Sequence, residues 1–459
     1  MTFSVSTLKG VKVYNLTFGK TSDQWKEEQR AGHIHSLRYN EAYRRRVEFI
    51  QDAVFPTSSL QVEMSDDGQW LLATGVYPPK LKMFELSELS VKFERGLESE
   101  PIDFCFLSAD WHKFVVLREH RWMEFHSSHG KHYNMRLPLM GTCLAYNKPM
   151  CELYTGTVQH LVLRANLEEG RYLAPLETSL EYIACADTDR THLLSAFGGT
   201  DGRIECWDPR AKACVATLDL YDSVPSLVPT PEVSKLRFGH DGLSLAAGLS
   251  TGHTALYDLR RRTPLHVLNQ RNKLPICDIR FHAQASKVVT CDAKTIRYWE
   301  QSTGALYTAI TPAEPVNNVA LVQGSGVVFV AQEQHRVGAY YLPSVGVAPS
   351  WCPFLDAMTE VVFLTCLGVV FLMWISSGAG GEQVRGGVRG LQVRAARRAG
   401  GAGTGAPDGH APAPSLHARL LHGLQAVPQG AQHRGPRRLR QVPGQQGEHQ
   451  ARRAAQPKD

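Results

Sequence analysis

One pattern recurs along this chain and leaves few folds open to it. Its clearest copy is LLSAFGGTDGRIECWDPRAKACVATLD, Leu193 to Asp219. It reads as strand, turn, strand, turn, strand. The Asp-Gly pair in TDGR suits a tight hairpin, because glycine accepts positive φ without a steric cost. RIECWD sets Ile204 and Cys206 against Arg203 and Glu205, the period of a half-buried strand, and VATLD follows as an outer strand. Six further copies close their third strand on an aromatic or apolar residue. The seven closing pairs are Phe84-Glu85, Phe125-His126, Leu163-Arg164, Trp207-Asp208, Tyr257-Asp258, Trp299-Glu300 and Tyr340-Tyr341. The first residues of these pairs are separated by 41, 38, 44, 50, 42 and 41 positions.

A period of about 40–45 residues with three or four strands per unit is that of WD40 propeller blades. The fold class expected is all-β, a WD40 β-propeller of about seven blades. A pair of β-sandwiches would leave seven spaced anchors to coincidence. GVKVYNLTFG adds one more strand near the N-terminus, placed to complete the last blade and close the ring. Tyr14 to Phe84 exceeds one period. The excess, TSDQWKEEQRAGHIHSLRYNEAYRRRVEFIQD, is polar and reads as helix lying outside the ring. The expected organisation is a closing strand in 1–20, a helical insertion in 21–54 and blades over 55–352. An exit segment and apolar run follow in 353–375, then a disordered low-complexity tail in 376–459.

Charge divides at the same place. Residues 376–459 hold 13 Lys+Arg against 4 Asp+Glu, whereas residues 1–375 balance to −3. The repeat region is therefore not a strongly basic nucleic-acid binder. Ten cysteines occur with no C-x-x-C pair, which argues against a zinc site and a disulfide framework. The first ten residues show no secretion signal, so a reducing compartment is expected.

No catalytic constellation is visible. There is no G-x-S-x-G, no phosphate-binding glycine loop and no metal-spaced histidine pair on a helix. GLSTG and GSG read as hairpin turns. His240-Asp241 in FGHDG reads as the turn before a strand, with Asp241 holding backbone N–H groups. Trp207 and Trp299 are expected to pack between blades with their indole N–H groups bonded. Together with Asp208, Tyr257 and Asp258 they are the structural anchors of the repeat. Asp208 and Asp258 are expected to pair locally with Arg210 and Arg260. Two basic clusters are candidate contacts for RNA phosphate or an acidic partner: Arg44, Arg45 and Arg46 on the helix, and Arg260, Arg261 and Arg262 on a loop. No cofactor, metal or enzymatic activity is expected.

Several stretches carry a closer resemblance. YRRRVEFIQDAVFPT, SDDGQWLLATGVYPPKLKMFEL, LSVKFERGLESE, NLEEGRYLAPL, GRIECWDPR, ALYDLR and YYLPSVGVAPSWCPFLDAMTE resemble, in order and spacing, the nucleolar protein 10 or Enp2-like family of WD40 proteins. The resemblance runs from about Val11 to Glu360. It implies a non-catalytic nucleolar factor in small-subunit (18S) pre-rRNA processing. It also implies small-subunit processome proteins and the U3 small nucleolar ribonucleoprotein as partners, with direct pre-rRNA contact open. The alternative from the repeat alone is a WD40 adaptor outside the nucleolus, such as a ubiquitin-ligase substrate receptor or a trafficking subunit.

Beyond Glu360 the resemblance stops. Val361–Ile375 is an apolar run of 15 residues, short of the roughly 20 that a spanning helix needs, so a membrane partner is not expected. Family members continue instead with segments like VYDDYKF and YMHGFF. Codons for Val388–Val393, read one base later, can give Tyr-Glu-Asp-Tyr-Lys-Phe. The same shift over the stretch from Ser415 can give Pro-Tyr-Met-His-Gly-Phe-Phe-Met-Asp. The reading is a mis-spliced, frameshifted C-terminus: translated intron from Val361 to about Gly380, then family sequence in the wrong frame.

Overall fold

The computed structural model describes residues 5–17, 25, 28–31, 40, 49–223 and 231–357. Seven antiparallel sheets succeed one another along the chain. The third strands of the seven blades are Lys80–Glu85, Trp122–Ser127, Leu161–Asn166, Arg203–Asp208, His253–Asp258, Ile296–Glu300 and Gly338–Tyr341. Every closing pair read from the sequence lies in one of them, and the fold is a seven-bladed β-propeller.

Among the described residues there is no single core. Seven apolar clusters fill the seven junctions between neighbouring blades. Trp207 and Phe197 of blade 4 meet Tyr154 and Cys143 of blade 3, for example, and Trp299 of blade 6 meets Leu256 and Leu268 of blade 5. Each blade therefore buries both its faces and depends on both neighbours. Among the described residues the cysteines are free thiols, and no helix is long and apolar enough to cross a membrane.

The N-terminus closes the ring. Val11–Asn15 pairs antiparallel with Gly338–Tyr341 of blade 7, with Tyr14 opposite Tyr341. Val13 enters the junction of blades 6 and 7, and Tyr14 and Leu16 that of blades 7 and 1. A strand not separated in the sequence reading, Val5–Leu8, adds a fifth strand outside it.

The helical insertion falls largely outside the described residues; residues 28–30 within it are helical. Its end departs from expectation. Residues 49–54 are bends, turns and a bridge, not helix, and they are not outside the ring. Phe49, Ile50 and Phe55 are buried at the junction of blades 7 and 1. Phe55 N donates to the His335 carbonyl at 2.6 Å and Val337 N to the Ala53 carbonyl at 3.1 Å. Three large apolar side chains within seven residues outweigh the helical bias of the polar stretch before them. The exit segment docks on the same junction. Cys352 and Leu355 join that cluster, Trp351 packs 6.1 Å from Phe49, and the Tyr341 hydroxyl donates to Asp356. The apolar run from Val361 and the tail of 376–459 lie outside the described residues.

Two faces follow from the connectivity. The hairpin face carries the turns from inner to second and from third to outer strands. The crossover face carries the second-to-third turns and the loops from one blade to the next.

Candidate functional site

The axis of the ring is lined by the seven inner strands. All seven break register near their start: at Ser59/Gln61, Pro101/Asp103, Gly141/Cys143, Ile183/Cys185, Val233/Lys235, Ile276/Asp278 and Val316/Asn318. Such a bulge re-aims side chains from the sheet toward its neighbour. At three of the bulges the skipped residue bonds to the next blade: Thr142 Oγ1 donates to the Ile183 carbonyl at 2.5 Å, Ser234 Oγ to Ile276 at 2.8 Å and Asn317 Nδ2 to Ser59 at 2.9 Å. Farther along, Asp103 accepts from Leu144 N at 2.9 Å and Asp187 from Phe238 N at 2.7 Å. The inner wall is thus a belt of blade-to-blade bonds.

A cavity of about 330 Å³ opens from this wall toward the hairpin face. Most of its charges are paired. Arg237 lies 3.4 Å from Asp187; Arg280 lies 2.8 Å from Asp278 and 3.4 Å from Glu63. Burial works to raise the Asp278 carboxyl, but Arg280, Arg237 and Lys235 hold it below its ordinary range. At the mouth, Asp66 of blade 1 pairs across the opening with Arg190 of blade 4 at 2.6 Å and with Lys148 of blade 3. Desolvation pushes the Cys143 and Cys206 thiols up to about 12, so neither supplies a thiolate nucleophile near neutral pH. No group of His, Cys, Asp or Glu among the described residues is arranged to hold a metal ion. This is the chemistry of a braced wall.

The nucleolar protein 10-like N-terminal domain model, described as a β-propeller, matches residues 4–362. The chain belongs to the nucleolar protein 10 family. It is 41% identical over 360 residues to "Nucleolar protein 10" of Xenopus laevis, covering 78% of this chain and 52% of that protein. It is 38% identical over 341 residues to "Ribosome biogenesis protein enp2 homolog" of Schizosaccharomyces pombe, covering 71% and 53%. With "Ribosome biogenesis protein ENP2" of Saccharomyces cerevisiae it shares 36% over 322 residues, covering 69% and 45%. The chain spans about half the length of the curated relatives it matches.

Within this family member the residues singled out by sequence separate into two kinds. The anchors are buried. Trp207 is 8% exposed and donates from Nε1 to Glu205 at 2.8 Å; Trp299 is 7% exposed and donates to Thr290 Oγ1 at 2.8 Å. Tyr257 is buried in the junction of blades 4 and 5. Glu205 departs from the alternation expected of RIECWD, because it is buried and also accepts from Ser179 N at 2.9 Å. Asp208 and Asp258 meet their arginines only through the backbone: Arg210 N donates to Asp208 at 2.9 Å and Arg260 N to Asp258 at 3.0 Å. That contact leaves each guanidinium in solvent, so the local ion pairing expected does not form. Asp241 accepts from Leu243 N and Ser244 N at 3.3 and 3.2 Å and holds its hairpin.

The basic clusters are of the other kind. Arg44, Arg45 and Arg46 lie outside the described residues. Arg260, Arg261 and Arg262 are exposed in the third-to-outer turn of blade 5, on the hairpin face. The equivalent turn of blade 4 exposes Arg210 and Lys212, which the sequence reading did not join to them. Only the repeat phase makes this visible: D-P-R-A-K and D-L-R-R-R occupy the same place in successive blades.

Proposed function

We propose that this chain is a non-catalytic scaffold in nucleolar ribosome assembly, acting in small-subunit pre-rRNA processing with processome proteins and the U3 ribonucleoprotein. The family match over residues 4–362 carries this reading, because fungal relatives matched over about half their length are named ribosome biogenesis proteins. The interlocked inner wall supports it: the axial charges engage one another, which suits a rigid platform better than a reaction centre. The basic turns of blades 4 and 5 are the surface offered to RNA phosphate or an acidic partner, and Arg44–Arg46 form a second candidate. Affinity purification of the tagged chain tests the reading. U3-associated proteins are expected; ubiquitin-ligase or coat subunits in their place would replace it with the adaptor reading. Exchanging Arg260, Arg261 and Arg262 for Glu is expected to reduce recovery in pre-ribosomes while leaving the fold intact, and unchanged recovery would remove that contact.

The match ends two residues beyond Glu360, near where the translated intron of the mis-splicing reading begins. Sequencing the messenger across Glu360 decides this. A transcript whose alternate frame cannot encode the two family segments ends the frameshift reading.

A further inference from the structure

We propose that the crossover face of blades 1–3 is a docking surface for a basic protein segment that carries apolar side chains among its lysines and arginines. Three apolar residues stand out of this face: Tyr77 is 68% exposed, Met140 45% and Val158 42%. Their loops form one connected rim. Glu119 N donates to the Glu100 carbonyl at 3.0 Å, Leu137 N to Arg121 at 2.8 Å, Val158 N to Met140 at 3.2 Å and Thr178 N to His160 at 2.9 Å. Tyr77 lies against Glu100, whose negative charge and hydrogen bond raise the phenol above its ordinary range.

The same rim is acidic. Glu100, Glu119 and Glu181 line it, and none makes an ion pair with a described residue. Glu98 is already answered by Arg118 and Lys131 and contributes little. The cations on this stretch are engaged within it: Arg121 turns Nη1 to the Pro138 carbonyl at 3.0 Å, Arg136 lies over the Trp122 ring at 6.0 Å, and Lys80 pairs with Glu94 at 2.6 Å. Unanswered carboxylates beside exposed apolar side chains repel nucleic acid and select a cationic protein segment that also supplies apolar cover. The inference goes beyond the assembly reading and does not depend on it, because it uses only the chemistry of this face.

The test uses the full chain and a fluorescein-labelled synthetic peptide of alternating Arg and Leu, read by anisotropy at low ionic strength. Glu100→Lys with Glu119→Lys is expected to weaken binding about tenfold, as reversed charges become repulsive. Met140→Ser with Val158→Ser is expected to weaken it about threefold, through lost apolar cover. Glu88→Lys with Glu168→Lys, on the hairpin face, is expected to leave it within about twofold, because distant exposed charges are screened. All six positions are on surface turns, and unchanged melting curves report that the variants are folded. The proposal is overturned if the peptide does not bind, if the hairpin-face pair weakens binding as much as the crossover-face pair, or if an Arg/Ser peptide binds as tightly.

Discussion

Blades 2 and 4 solve one problem with different chemistry. Each buries a glutamate in the middle of its third strand: Glu124 in blade 2, Glu205 in blade 4. In blade 4 the carboxylate is met by neutral donors, Trp207 Nε1 and the backbone and hydroxyl of Ser179. In blade 2 His126, one residue past the Phe125 read from the sequence, stands in register with Trp207, and two of the donors are charged. Arg118 Nη2 lies 2.8 Å from Glu124 and Lys131 Nζ 2.5 Å, with His126 Nε2 at 3.2 Å. Arg95 from blade 1 donates to His126 Nδ1 at 3.3 Å, so Nε2 carries the proton that faces Glu124. His126 also stacks on Phe114, with centroids 4.9 Å apart. A buried carboxylate needs donors, not a particular residue type, and a repeat can drift in sequence while that demand stays satisfied.

The largest effect expected from breaking this comparison is in blade 2. Arg118→Met leaves Glu124 short of its buried partner and is expected to cost about 3–5 kcal/mol in urea unfolding. Adding Glu124→Leu is expected to recover most of that loss; a double variant as weak as the single would show that the cluster acts through packing alone. Next is pH. Burial opposes the Glu124 charge, but His126, Lys131 and Arg118 outweigh it and hold the carboxyl down to about 2. A depressed folded-state pKa stabilises above the unfolded value and is lost as pH falls through the folded one. Thermal melts should therefore show wild type losing more stability than Glu124→Gln between about pH 4.5 and pH 2, and parallel curves would refute the assignment. Trp207→Phe keeps a ring in blade 4 but removes one neutral donor. It is expected to cost about 1–2 kcal/mol, less than Arg118→Met, because Ser179 still serves Glu205; a loss as large as that of Arg118→Met would erase the distinction between the two blades. Smallest is Asp208→Ala, which removes one turn contact and should cost about 0.5–1 kcal/mol by the same denaturation assay. A loss above that of Trp207→Phe would mean Asp208 does more than hold its turn.

The sequence showed the ring more readily than its wiring. Third strands were legible because an apolar alternation ends each time on an aromatic or apolar residue and a polar turn, a local signal. Glu205 was misread as solvent-facing because its partners, Ser179 and Trp207, lie on a preceding loop and on the strand itself, and alternation carries no trace of them. The packing of Phe49, Ile50 and Phe55 was missed because one side of the junction they fill belongs to blade 7, far along the chain. The axial residues Asp103, Asp187, Arg237 and Arg280 were not singled out either. Their trace was present: charged residues inside IACADT, VSKLRF and ICDIRFH stand at like offsets from the start of each inner strand. It becomes a signal only when the blades are superposed in phase. The hairpin-face arginines of blade 5 were legible as a run, but their neighbours in blade 4 were not.

The strand that closes the ring also sets a clock. Thr17 bonds Ala339 across 322 residues, so the first-made strand cannot find its partner until nearly all the blades have been synthesised. At about 5–20 residues per second that interval is roughly tens of seconds. Through it, the strand Val11–Asn15 has no blade 7 to pair with, and Val13 and Tyr14 have no junction to fill. Nascent chains stalled before Gly338 should be cut by protease near Val11, whereas chains released after Tyr341 should resist; equal cleavage of both would show that closure is not the last event in making this protein.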